Sequence, residues 1–280
     1  MTLLPGGALF QSTCRSGLHV VRPIKPDSLR VDDDGFDFGQ ARAPSYFAYG
    51  RLRALINLTT SRRLLKGRQA RVLEIAAGDA ALSACLAADG HAVTANDLLA
   101  DSLQGAVGRF KTDISLAPGN LFDLDPGQLG TFDLIVACEI IEHVAHSDLF
   151  LRHLKTLLSP GGLLYITTPN GRYFRNKLPT YSQVESFVML EAKQFKADAD
   201  GHLFLITPDE MRELARSCGL RVQELAVWAT PFITGEAGFR YLAPLLTTRL
   251  CYALESCAQR LSERRLSRVG NSLSVVLAAT

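Results

Sequence analysis

A chain of 280 residues holds one sizeable core, with room for additions. Its 47% hydrophobic and 21% charged residues fit a globular enzyme, and a net charge of +2 argues against nucleic acid as a general partner. No apolar run long enough to span a bilayer occurs, no basic-then-apolar leader opens the chain, and the six cysteines form no C-x-x-C pair, which together point to a cytoplasmic protein with reduced thiols.

Residues 1–44 are rich in Gly, Pro and Asp and read as an N-terminal arm. The remainder, 45–280, reads as one α/β domain. Ser45 to Leu65 has helical apolar spacing, with Arg51, Arg53, Arg62 and Arg63 as a solvated face. Val72, Leu73 and Ile75 form a short buried strand. A loop of small residues, Ala76 to Ala80, follows and lets a ligand approach the backbone. Helical spacing then runs to Gly90, and a second strand closes on Asn96-Asp97. An acid at this strand tip suits a ribose diol. Ala100 to Phe110 reads as a helix and Ile114 to Pro118 as a strand, followed by the Gly119-Asn120-Leu121 turn.

Thr131 to Cys138 is a buried strand that runs into Glu139-Ile140-Ile141-Glu142-His143. A helix over 149–158, a break at Ser159-Pro160-Gly161-Gly162 and a strand over 163–168 come next. Residues 171–201 mix aromatics with bases at a strand end and read as a lid over the substrate side. Thr207-Pro208-Asp209-Glu210 starts a helix with a cap, a first-position proline and an acid three residues after the cap. Arg221 to Trp228 and Ser272 to Ala278 are the last two strands. Between them lies a helical insert, 231–270, in which Leu242, Leu246, Leu250, Leu254 and Leu261 alternate with arginines. That insert either packs on its own domain or a homodimer partner, or offers a basic amphipathic surface for peripheral membrane contact.

RVLEIAAGDAALSACLAADGHAVTANDL resembles motif I and the acidic motif of class I S-adenosylmethionine (SAM) methyltransferases. FDLIVACEIIEHV and LKTLLSPGGLLYITTPN resemble the ubiquinone-biosynthesis O-methyltransferase group. The resemblance implies a Rossmann-like seven-stranded sheet, mostly parallel with an antiparallel last strand and helices on both faces. It implies SAM as cofactor, held by Glu74, Ala76, Gly78, Asp97, Leu98, Asn120, Leu121 and Cys138. Glu74 orders the loop from behind and Asp97 accepts the ribose hydroxyls. Leu98, Asn120 and Leu121 adjoin the adenine, although Asn120 equally suits a turn. Two glycines of the motif are replaced by Ala76 and Ala80, which fit if those positions avoid positive φ.

Glu139, Glu142 and His143 stand at i, i+3 and i+4, so a helix starting there would place them on one face. His143, supported by Glu142, suits proton removal as a general base. A second reading has Glu139, Glu142, His143 and His202 hold Mg²⁺ or Mn²⁺ that lowers the acceptor's pKa. The E-x-x-E-H form resembles metal-dependent quinone-pathway enzymes and the small-RNA 3′-terminal 2′-O-methyltransferases. The expected function is O-methylation of a small hydroxylated acceptor: a phenol, a quinone precursor or a sugar. The alternatives are RNA 3′-terminal 2′-O-methylation and SAM binding by a non-catalytic regulatory protein.

Overall fold

A computed structural model describes residues 10–11, 20–21, 44–107, 110, 112–194, 201–242 and 248–280. In the N-terminal arm, Phe10–Gln11 pairs antiparallel with Val20–Val21; the rest of the arm lies outside the described residues.

Seven strands form the central sheet: β1 (Arg71–Ile75), β2 (Ala92–Asp97), β3 (Ile114–Pro118), β4 (Phe132–Cys138), β5 (Leu158–Pro169), β6 (Leu220–Trp228) and β7 (Ser272–Ala279). Their spatial order is β3-β2-β1-β4-β5-β7-β6. Pairing is parallel from β3 to β5, while β7 runs antiparallel to both β5 and β6. This is the architecture that the resemblance implies.

Strand alternation divides the core in two. Leu73, Ile75, Ile135 and Ala137 face one side, where they meet Phe150, Leu151 and Leu154 of helix α5 (Ser147–Thr156) and Met211 and Leu214 of α7 (Pro208–Ser217). Val72, Leu134 and Val136 face the other side and pack on α1 (Pro44–Leu65), α2 (Ala81–Ala88) and α3 (Ala100–Val107) through Leu65, Ala84 and Leu103. Thr207 and Glu210 form the expected reciprocal cap on α7: the Thr207 Oγ1 accepts the Glu210 N–H at 3.2 Å, and Glu210 accepts the Thr207 N–H at 2.8 Å.

The Pro-Gly-Gly segment does not end the helix and precede the strand, as its composition suggests. β5 begins at Leu158, and its pairing with β4 jumps from Phe132–Leu158 to Leu134–Leu163. The extra residues bulge outward, with Gly161 at φ +77°. Gly162 leaves no room for a Cβ, which would lie 2.7 Å from the Phe132 carbonyl oxygen.

The 231–270 insert contains α8 (Pro231–Thr234), α9 (Phe239–Leu242), α10 (Thr248–Ala258) and α11 (Glu263–Val269). Glu255 of α10 is 1% exposed. Its carboxylate accepts the N–H groups of Ala229 (3.1 Å) and Thr230 (2.9 Å), the Thr230 hydroxyl and the Gln259 amide (2.8 Å). The insert is therefore fastened to the end of β6, which favours the expectation that it packs on its own domain.

Candidate active site

The site lies where the carboxyl ends of β1, β2, β4 and β5 meet, the edge at which open α/β sheets bind ligands. Behind the loop that follows β1, Glu74 is buried and accepts the backbone N–H of Ser83 at 2.9 Å together with its hydroxyl. It thereby ties β1 to the first turn of α2, on the far side of the loop. Burial lifts its carboxyl to about 7, and the Ser83 bonds partly offset that rise.

In front of it, Ala76, Gly78 and Ala80 all adopt positive φ, at 54°, 55° and 57°. This corrects the sequence expectation. The two alanines occupy left-handed positions that glycine takes without strain, because the turn leaves no other route from strand to helix.

Asp97 stands at the tip of β2. Its Oδ2 accepts the Gly78 N–H at 2.9 Å and its Oδ1 accepts the Leu99 N–H at 3.2 Å. The acid thus ties the small-residue loop to the second strand. Asn96 beside it is 3% exposed and donates to the carbonyls of Ala117 (2.6 Å) and Gly119 (3.0 Å), which fixes the tips of β2 and β3 together. Asn96 was missed from the sequence, where it reads only as the close of the second strand.

Leu98 is 43% exposed at this edge. Asn120 accepts the Phe122 N–H at 3.2 Å and starts a short 3-10 turn, so its oxygen serves the turn. The Leu121 side chain is buried in the core. Cys138 closes β4, and burial pushes its thiol well up.

No α-helix follows β4. Glu139 takes φ +53° and donates its N–H to the Thr167 carbonyl, and only a 3-10 turn, Ile141–His143, comes after it. The expected common face of Glu139, Glu142 and His143 therefore does not form. Glu139 instead turns toward Arg53 of α1, with Oε2 3.8 Å from Nη1. Arg53 lies over the Tyr49 ring at 5.6 Å, Tyr49 stacks on Trp228, and the Tyr49 hydroxyl bonds Ser272 at 3.0 Å. Helix α1 thus reaches the site, a role that its arginine-rich face concealed in the sequence.

Glu142, His143 and His202 do come together. Each offers a ligand atom within 4.8 Å of the others. Glu142 is fully buried, and its Oε2 accepts the Thr168 hydroxyl at 2.9 Å. Its Oε1 is buried without a hydrogen bond, 3.9 Å from the His202 Nε2. Burial first, and the charge of Glu139 second, hold the Glu142 carboxyl well above its ordinary value. The His143 Nδ1 lies 3.1 Å from the Gly201 carbonyl, and the two imidazoles meet edge to face at 4.9 Å. The end of the lid is pinned to the same turn, because Leu203 donates its N–H to the Glu142 carbonyl at 2.9 Å.

A family model described as "Methyltransferase domain" matches residues 46–225. A ubiquinone biosynthesis O-methyltransferase of Caulobacter vibrioides is 35% identical over 102 residues, 35% of this chain and 40% of that protein. Its counterpart in Xanthomonas oryzae pv. oryzae is 34% identical over 106 residues, 36% of this chain and 44% of that protein. The chain thus aligns with less than half the length of these curated relatives. Among solved structures, an S-adenosylmethionine-dependent methyltransferase from Clostridium acetobutylicum covers 89% of this chain and 94% of its own, with a TM-score of 0.51 and 12% identity. The [4+2]-cyclase SpnF is as similar in fold, with a TM-score of 0.53, 12% identity and 82% of each chain covered.

Proposed function

The chain belongs to the methyltransferase-domain family, and we propose that it is a SAM-dependent enzyme that methylates an oxygen of a small hydroxylated acceptor. One observation carries this reading: Glu142, His143 and His202 converge beside the loop and acid suited to SAM. A fold shared with a cyclase does not fix the reaction, so the acid–base cluster has to carry the chemistry.

The acceptor oxygen attacks the methyl carbon in line as the carbon–sulfur bond breaks, and S-adenosylhomocysteine departs. The acceptor's proton needs a base. With Nδ1–H donated to the Gly201 carbonyl, the His143 Nε2 carries the lone pair that takes it. Glu142 and His202 orient that imidazole and settle its charge.

The same residues fit a divalent cation. The Glu142 Oε1 is a buried acceptor in need of a partner, and two imidazoles complete a mixed oxygen and nitrogen set. Mg²⁺ or Mn²⁺ held by Glu142, His143 and His202 would polarise the acceptor oxygen and lower its pKa. Glu139 is outside this set among the described residues.

Labelled SAM offered with phenolic, glycan and RNA acceptors, before and after exhaustive chelation, tests the reading. Transfer to a phenol or sugar supports it. Transfer confined to RNA 3′ ends replaces it with the nucleic-acid alternative, and SAM binding without turnover on any class points to a regulatory protein. Full activity in a metal-free preparation, checked by elemental analysis, leaves His143 as an unassisted base.

A further inference from the structure

Two separate segments that carry basic residues meet at the start of the lid. In α11, Leu266 is buried, and Arg264, Arg265 and Arg268 are exposed. The first turn of the lid lies against this helix, where Phe174 donates its N–H to the Arg268 carbonyl at 2.9 Å. Asn170 fastens the same junction through its side-chain amide, which donates to the carbonyls of Ser267 and Gly270, each at 2.7 Å. The lid adds exposed Arg175 and Lys177 and two solvent-facing apolar side chains, Phe174 (56% exposed) and Leu178 (41%).

Neither 171–180 nor 264–271 contains an acid. Glu263 precedes the three arginines in the chain; of the carboxylates around the lid, Glu236 accepts the Tyr173 hydroxyl and Asp209 pairs with Arg172. The amphipathic surface expected of the insert alone is thus composite. The insert supplies cations and the lid supplies both cations and the apolar side chains.

We propose that this surface docks the protein on an anionic lipid bilayer. Five cations, Arg175, Lys177, Arg264, Arg265 and Arg268, face the headgroups, and Phe174 and Leu178 enter the headgroup–acyl boundary. Charge alone would suit any polyanion. The two exposed apolar side chains among the cations favour a surface with an apolar layer beneath its charge. The docked edge is the one that carries the lid, so an amphiphilic acceptor would reach the site without crossing water.

Vesicle sedimentation with the full chain tests this. Wild type should pellet with vesicles of phosphatidylcholine and one-third phosphatidylglycerol at low salt, and not with phosphatidylcholine alone. Neutralising Arg175, Lys177, Arg265 and Arg268 to Gln should weaken pelleting by about tenfold or more. The pair Phe174→Ser and Leu178→Ser should weaken it while leaving the salt dependence in place. Unchanged thermal unfolding shows that the variants are folded. Absence of wild-type binding at low salt overturns the proposal. So does binding that ignores the apolar pair, or tighter binding of single-stranded RNA through the same residues. Every readout is independent of methyl transfer.

Discussion

Ala76 and Ala80 place a Cβ where the left-handed backbone costs about 1–2 kcal/mol. Glycine removes that cost and adds about 0.4–1 kcal/mol of unfolded-chain entropy. Ala76→Gly and Ala80→Gly should therefore each raise stability by roughly 0.5 kcal/mol, read as a higher urea midpoint with an unchanged slope. A lower midpoint would show that a close contact to the methyl outweighs the strain. Asp97→Ala should weaken SAM binding by about 1.5–3 kcal/mol in calorimetry, the scale of a hydrogen bond to a charged group. Undiminished affinity would remove Asp97 from the ribose role. Glu74 behaves differently. Its carboxyl is lifted from 4.5 to about 7, so the folded chain keeps a proton that the unfolded chain releases. The stability it contributes is full below pH 4.5 and is lost as the pH rises to about 7. Glu74→Gln should flatten that part of the stability–pH curve, and an unaltered slope would assign it to another group. Residue identity made Asp97 and Glu74 legible, since an acid at a strand end has few other uses. The φ of an alanine was not, because the surrounding turn sets it.

At the scale of elements, the least legible stretch was the one after β4. Spacing of i, i+3 and i+4 implied a helix, yet Glu139 at φ +53° stops one from starting, and the tight turn that follows still brings Glu142 and His143 together. His202 joined them as expected, because the return from the lid is hydrogen-bonded to that turn. If a cation sits among these three, adding Mn²⁺ should slow amide exchange at Leu203, whose N–H is given to the Glu142 carbonyl. Exchange that ignores the metal would speak for the unassisted base. Glu255 fastens a different element. Glu255→Ala orphans two buried N–H groups and a hydroxyl, and should lower stability by about 3 kcal/mol in urea unfolding. A loss below about 1 kcal/mol would mean that water replaces the carboxylate. The sequence showed a helix there but not its anchor, since nothing in local spacing marks an inward-facing glutamate.

For the molecule as a whole, hydrophobic patterning and turn chemistry were enough to foresee seven strands, while the reversed direction of the last came from the resemblance to class I methyltransferases. The approach of α1 to the site was invisible, because it depends on how distant segments stack. Trp228 is the chain's one tryptophan and is fully buried, with Tyr49 of α1 stacked on it at 6.1 Å. Its fluorescence therefore reports whether α1 is docked. Tyr49→Ala should cost about 3 kcal/mol and shift the folded-state emission to longer wavelength. Emission at the wild-type wavelength would show that other residues close over the indole. The order of strands has a consequence for synthesis. Among the described residues β6 is hydrogen-bonded to β7 alone, and β7 is made only after the whole 231–270 insert. While the ribosome builds the insert, β6 has no strand to pair with and β5 keeps an open edge. That interval exposes unpaired, apolar strand to neighbouring chains, so a nascent chain stalled within the insert is the form most prone to aggregate or to recruit a chaperone.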